Sequence, residues 1–265
     1  MGYLMLNEYK KEFFNSDQDW GYVIYPKNTI ENIPVVLHFH GNRGYVKDGE
    51  ADWLDEPKKQ HFFKPVLDSG FAIAGCHATG NHWGRGSAIR ANYNFFEQLK
   101  NNVELNLSNI TTWGCGLGAS AAWLTSIGEL NPYVKNFISQ QGVLNFESVI
   151  RREKFKDELI EAHNRDVSMD IEKAVKAVQV FDPINPITKT KLMIAKNEKK
   201  IPDSLLIHGD ADENVNYSEN PVMLNKILLD AGANSKLNPL TGVGHATYDH
   251  GEELGLIIAK FLIDQ

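Results

Sequence analysis

Residues Gly114-Cys115-Gly116-Leu117-Gly118 lie between an apolar run and a small-residue helical pattern. A strand that turns sharply into a helix through small neighbours lifts one side chain above the sheet edge, the setting in which a serine attacks an acyl carbon. The raised position here is Gly116, which carries no attacking atom. A positive-φ bend strains a non-glycine residue by about 1–3 kcal/mol. Glycine at 116 is therefore expected to preserve the fold, and where the position would carry the nucleophile of a catalytic triad its loss costs roughly a millionfold in turnover, leaving what binding and backbone donors supply. Two neighbours are candidate substitutes. Cys115 is expected to point away from the tip of the bend, and Ser120, one helical turn beyond, to face a packing interface. A dinucleotide-binding reading of Gly114, Gly116 and Gly118 fits poorly, because that phosphate turn places its third glycine or alanine one step later, where Ala119 is only a loose match, and belongs to a first β-α-β unit rather than deep in the chain.

The elements that must position such a bend are legible as short apolar runs alternating with longer helical patterns, the signature of β-α-β units and a mostly parallel sheet. Strands are expected over residues 35–39, 71–76, 110–113, 137–139 and 204–208, with near-continuous Val, Ile, Leu and Phe that suits burial on both faces. Residues 12–14 and 20–25 read as an antiparallel pair that opens the domain, and residues 236–238 as the last strand. Helices are expected over 62–68, 88–99, 117–130, 219–231 and 252–262. Between Leu144 and Val178 a charge-dense helical stretch breaks this rhythm, with Arg151, Arg152, Glu153, Lys154, Lys156, Asp157 and Glu158 around Ile150, Leu159 and Ile160. Residues 145–178 are read as a small helical cap insertion, against the plainer alternative of a solvated helix pair. Phe181-Asp-Pro-Ile-Asn-Pro-Ile187 reads as an ordered loop returning the chain to the sheet.

Composition narrows the class. The 265 residues, 42% of them hydrophobic, are enough for one core, so residues 1–265 are expected to form a single domain. Lys and Arg number 27 against 34 Asp and Glu, and the net charge of -7 disfavours a nucleic-acid or anionic-membrane partner. Cys76 and Cys115 each close a predicted strand without metal or CxxC spacing, which reads as buried reduced thiols and a cytoplasmic location. The apolar start at Met1 is too short for a signal peptide. Met1-Gly2 begins like a myristoylation site, but Leu6 stands where Ser or Thr is preferred. No later apolar run approaches membrane-spanning length.

Four separated segments, taken in order, resemble the α/β-hydrolase superfamily, in particular its esterase and prolyl-oligopeptidase-like branches. They are His38-Phe39-His40-Gly41-Asn42, the bend at 113–122, Leu205-Leu206-Ile207-His208-Gly209-Asp210-Ala211-Asp212, and Gly242-Val243-Gly244-His245-Ala246. The resemblance implies a three-layer α/β-hydrolase fold, a mostly parallel sheet flanked by helices. It implies Gly116 at the nucleophile position, His245 as general base and Asp212 as the acid that orients it. It also implies oxyanion donors from Gly41 or Asn42 and from Leu117. Asp210 is expected to shape its own turn, and His250 to precede the last helix. His40, His77 and His82 are candidates to line the mouth of the site and contact substrate.

Three functions follow as expectations. The first is a carboxylic-ester hydrolase for a small-molecule or polymer substrate, acting through a Ser/His/Asp triad when residue 116 is serine. Because His245 and Asp212 are kept, Gly116 reads as an engineered nucleophile knockout, an inactive mutant. The second is a natural non-catalytic binding or sensor protein. The third is a peptidase or amidase of the same fold. Acyl transfer by side chains and backbone donors needs no metal and no organic cofactor.

Overall fold

The computed structural model of the chain describes residues 5–16, 19–167, 179, 181–197 and 199–265. Eight of its strands make one sheet. These are β1 (Lys11–Ser16), β2 (Asp19–Ile24), β3 (Ile33–Phe39), β6 (Ala72–Cys76), β7 (Leu105–Cys115), β8 (Val134–Gln140), β9 (Asp203–Gly209) and β10 (Ser235–Leu240), in the spatial order β1-β2-β6-β3-β7-β8-β9-β10. The β1–β2 and β2–β6 pairings are antiparallel and the other five parallel, as the periodicity and the opening hairpin predict. A two-stranded ribbon, β4 (Val46–Lys47) with β5 (Glu50–Ala51), follows β3.

Alternation along the strands divides the core into two layers. Val35 and Leu37 of β3 face one cluster, packed against Phe95 and Phe96 of α3 (Gly86–Leu99) and Trp123 of α4 (Gly118–Ser126). Val36, between them, faces the other cluster. There Phe62 and Phe63 of α2 (Pro57–Asp68) meet Leu254 and Ile258 of the last helix, Gly251–Ile263. Helices on both faces of a mostly parallel sheet give the expected three layers.

Several elements differ from the sequence reading: α2 begins at Pro57 rather than 62 and β7 at Leu105 rather than 110. The helix expected over 117–130 ends at Ser126, and the Gly128 turn follows, tight enough that a Cβ there would lie 2.6 Å from the Leu124 carbonyl oxygen. The helix expected over 219–231 begins with a wide turn, Ser218–Val222, in which the Val222 N–H reaches back to the Tyr217 carbonyl, before the regular helix Met223–Asp230. The loop reading through Ile187 missed a helix, Pro186–Lys196. Its two prolines suggested a loop, yet Pro186 sits at the first helical position, where a missing N–H costs nothing, and Asn185 caps it.

Inside residues 145–178 the chain forms α5 (Phe146–Arg152) and α6 (Lys156–Val167); residues 168–178 lie outside the described residues. Ile150 and Leu159 are buried with Phe146, Phe181, Val143 and Leu117 in a third apolar cluster beside the C-terminal ends of the strands. The Met1-Gly2 start is also outside the described residues. Among the described residues, no helix is long and apolar enough to cross a membrane.

Candidate active site

Strand β7 ends at Cys115 and the chain bends at Gly116 with φ +52° before α4 begins at Gly118. The bend is fixed on three sides. The Gly116 N–H donates to the Gln140 carbonyl at 3.0 Å, and its own carbonyl accepts from Val143 at 2.9 Å and Ala119 at 3.2 Å. The flanking glycines answer to space. A Cβ on Gly114 would sit 2.4 Å from Ala119 Cα, and one on Gly118 2.3 Å from the Phe39 carbonyl oxygen. Gly116 is different, because its Cβ direction is open and the nearest atom, Gly41 Cα, is 4.0 Å away. A small side chain fits there, against a backbone conformation that only glycine adopts freely.

Asp212 and His245 come together from two loops. His245 Nδ1 lies 2.7 Å from Asp212 Oδ2. The same oxygen accepts from His208 Nε2 at 3.0 Å, and Oδ1 accepts the N–H groups of Asn214 and Val215 at 2.8 and 2.9 Å. Four donors therefore converge on one carboxylate. Burial pushes its pKa up, but the hydrogen bonds from His208 and His245 outweigh this and hold Asp212 well below the usual carboxylate range. His208 Nε2 faces two acceptors, Asp212 and the Val215 carbonyl at 2.9 Å, so this nitrogen carries the proton.

Further bonds hold the two loops in register. Asp210, expected to serve its own turn, instead accepts the Gly242 N–H at 2.7 Å and so ties the aspartate loop to the histidine loop. Gln141, absent from the sequence reading, accepts from the Gly209 N–H at 2.9 Å and donates to the Gly244 carbonyl at 3.0 Å. His250 ends a short turn just before the last helix, with Nδ1 3.8 Å from Glu253.

A cavity of about 260 Å³ gathers these parts: Gly41, Asn42, Gly116, Leu117 and His245 all line it. Asp212 stands behind His245. The N–H groups of Asn42 and Leu117 have no protein acceptor among the described residues. Its lining includes Trp83, Leu117, Val143, Phe155 and Val215, which share one apolar cluster, and a polar wall of Asp52, Lys59, Gln140, Thr247 and Tyr248, among which Lys59 contacts Asp52 and Tyr248, and Gln140 contacts Thr247. A larger cleft of about 970 Å³ lies between α3, α4 and the helix Pro186–Lys196. It contains none of these groups, so chemistry rather than size selects the smaller cavity.

Three sequence candidates are corrected. His40, His77 and His82 do not line the cavity. His40 is 3% exposed, with its ring nitrogens 2.9 Å from the Gly41 carbonyl and 2.7 Å from the His77 carbonyl. His82 is fully buried and accepts from the Gly84 N–H, and His77 stacks on His40 and accepts from Val46. Burial, reinforced by the neighbouring His40, pushes His82 well below its usual pKa and lowers His77. The three rings brace the loop after β3 from behind.

The two thiols are buried and free. Cys115 lies on the cavity wall with Sγ 3.3 Å from Gln140 Oε1, and burial pushes its pKa well up, away from the thiolate. Ser120 is buried against the Val143 carbonyl at 2.6 Å.

No protein-family model matches the chain, and no curated protein sequence matches it. Solved structures do. S-formylglutathione hydrolase from Agrobacterium tumefaciens superposes with a TM-score of 0.71 at 10% identity, over 97% of this chain and 94% of that one. Carboxyl esterase 2 from Tuber melanosporum gives 0.68 at 15% identity, over 96% and 86%. Acylaminoacyl peptidase from Pyrococcus horikoshii gives 0.70 at 15% identity, over 97% of this chain but 41% of that longer one. At these identities the likeness is one of fold: the chain has the α/β-hydrolase fold.

Proposed function

We propose that the cavity is the active site of a carboxylic-ester hydrolase whose nucleophile position is occupied by glycine. The observation that carries this reading is the 2.7 Å contact of His245 with Asp212 in a cavity shared with an open, positive-φ bend at Gly116. With serine at 116, its hydroxyl attacks the ester carbonyl while His245 Nε2 takes the proton. Asp212 holds the ring with Nδ1 protonated and stabilises its cation. The carbonyl oxygen, now negative, accepts from the Leu117 N–H and from Asn42 or Gly41. His245 returns the proton to the leaving alcohol, and water then releases the acid by the same steps. As the chain stands, this site binds ester and leaves water, activated by His245, as a slow attacking group.

The retained His245–Asp212 pair supports the view that glycine replaced a serine by design, and codon 116 of the source gene reads that directly. The glycine itself favours the second reading, a natural binding or sensor protein, since residue 116 is unstrained without a nucleophile. A peptidase or amidase is the nearest chemical relative. In each reading α5 and α6 form a cap, with Phe155 reaching the cavity. The test is Gly116→Ser assayed on p-nitrophenyl acetate. Hydrolysis above the glycine chain supports the hydrolase; a folded, inactive variant supports the binding protein.

A further inference from the structure

The polar wall of the 260 Å³ cavity carries more hydrogen-bond donors than the protein supplies with acceptors. Lys59 reaches it from α2 and is only 9% exposed. Its Nζ donates to Asp52 Oδ2 at 2.8 Å and to Glu56 Oε1 at 3.0 Å. An ammonium has three N–H groups, so one remains without a protein acceptor among the described residues. Thr247, 3% exposed, is in the same condition: its Oγ1 accepts from Gln140 Nε2 at 3.2 Å, and its own hydrogen has no protein acceptor among the described residues. Burying unmatched donors is unfavourable, so whatever fills this wall must bring oxygen.

Charge and geometry decide which oxygen. Burial pulls the Lys59 pKa down, but Asp52 and Glu56 outweigh it and the ammonium stays protonated. Against that single cation stand two carboxylates, so a further anion is poorly placed. Asp52 also faces the cavity. Its Oδ1 takes the Tyr45 N–H at 3.1 Å and its Oδ2 takes Lys59, which leaves each oxygen a further acceptor site. A carbonyl group uses only the donors here, whereas a hydroxyl accepts from Lys59 or Thr247 and donates to Asp52. The apolar part of the lining, Trp83, Phe155, Val143 and Val215, suits a hydrocarbon arm instead.

We propose that Lys59, Asp52 and Thr247 form a hydroxyl-recognising subsite, and that the substrate is an ester with one apolar arm and one arm bearing a free hydroxyl, as in a polyol or hydroxy-acid ester. This rests on the reading of the cavity as an ester site. Two matched pairs, hydrolysed by the Gly116→Ser chain in a pH-stat, separate the arms. Glyceryl monobutyrate against propyl butyrate probes the alcohol arm, and ethyl 3-hydroxybutyrate against ethyl butyrate the acyl arm. One pair is expected to show kcat/KM at least about tenfold higher for its hydroxylated member, because a site built around a hydroxyl rejects the analogue without it. That ratio falls toward one in Thr247→Val, which keeps the side-chain shape, and in Lys59→Met where that variant folds. Ratios near one in both pairs, or a ratio untouched by Thr247→Val, overturn the subsite. If Gly116→Ser hydrolyses none of the four, the ester reading fails and the subsite is judged by ligand-observed NMR on the glycine chain. There, the hydroxylated member of one pair must bind about tenfold more tightly than its partner, with the difference lost in Thr247→Val; equal binding in both pairs, or none, overturns it.

Discussion

Replacing Asp212 by asparagine probes how much of the site's order rests on one carboxylate. Asp212 takes two backbone N–H groups on Oδ1 and two imidazole nitrogens on Oδ2, with its side chain fully buried. Asparagine keeps one oxygen, so either pair of donors is left facing an NH2 group. If the carbonyl stays on the backbone side, His208 and His245 both meet a donor. His245 can exchange tautomers and accept, whereas His208 cannot do so without losing Val215. Hydrogen bonds to a charged group contribute about 1.5–3 kcal/mol each, so with one of the two partly recovered the net loss is about 2–4 kcal/mol. At roughly 2.1 cal/mol/K per residue, the 265-residue chain unfolds with an entropy of about 0.56 kcal/mol/K, which makes the fall in Tm about 4–7 °C. Differential scanning calorimetry reads the fall. Long-range ¹H–¹⁵N spectra should show the His245 proton moving from Nδ1 to Nε2. Asp210→Asn, which keeps its acceptor for Gly242, serves as comparison and should shift Tm by less than about 2 °C. An Asp212→Asn chain as stable as its parent with the His245 tautomer unchanged would refute the four-donor account.

Other expectations follow from the same contacts. Because the Asp212 carboxyl is held below its unfolded value of about 3.9, its stabilisation is complete above that pH and is lost as pH falls through the lower folded value. Urea unfolding between about pH 4 and pH 2 should therefore steepen in the parent relative to Asp212→Asn; parallel curves contradict it. Gly118→Ala forces a Cβ to 2.3 Å from the Phe39 carbonyl and should destabilise by more than about 3 kcal/mol, whereas Gly116→Ala, with open space but positive φ, should lose about 1–2 kcal/mol. Equal losses in thermal melts would remove the distinction drawn between these glycines. In the Gly116→Ser background, His245→Ala should abolish ester hydrolysis while His250→Ala keeps most of it, and comparable losses would show the base to be misassigned.

The sheet was legible because buried parallel strands are written as continuous apolar runs, each of which fell within or beside an observed strand. The bend, Asp212 and His245 were legible because each is embedded in a contiguous motif that couples a strand end to a turn. What escaped lacks any such local signal. The donor to Asp210 is the Gly242 N–H, 32 residues away. Gln141 joins two distant loops, and Lys59 comes from a polar helix whose pattern marks only Phe62, Phe63, Val66 and Leu67 as inward-facing. His40, His77 and His82 misled for the converse reason. His40 on the loop after β3 and His82 on the segment after β6 are buried in the protein, and burial lowers the pKa of His77 and His82. The missed helix after Asn185 shows that proline marks a helix start as readily as a loop.

The most direct measurement is intact-mass spectrometry after treatment with a fluorophosphonate, which loses fluoride and bonds preferentially to a hydroxyl activated by a base beside oxyanion donors. The Gly116→Ser chain should gain one phosphonyl adduct, mapped by peptide sequencing to residue 116, and the adduct should disappear on adding His245→Ala. A folded Gly116→Ser chain that stays unmodified, or one labelled equally well without His245, would contradict the claim that residue 116, His245 and Asp212 form one catalytic unit.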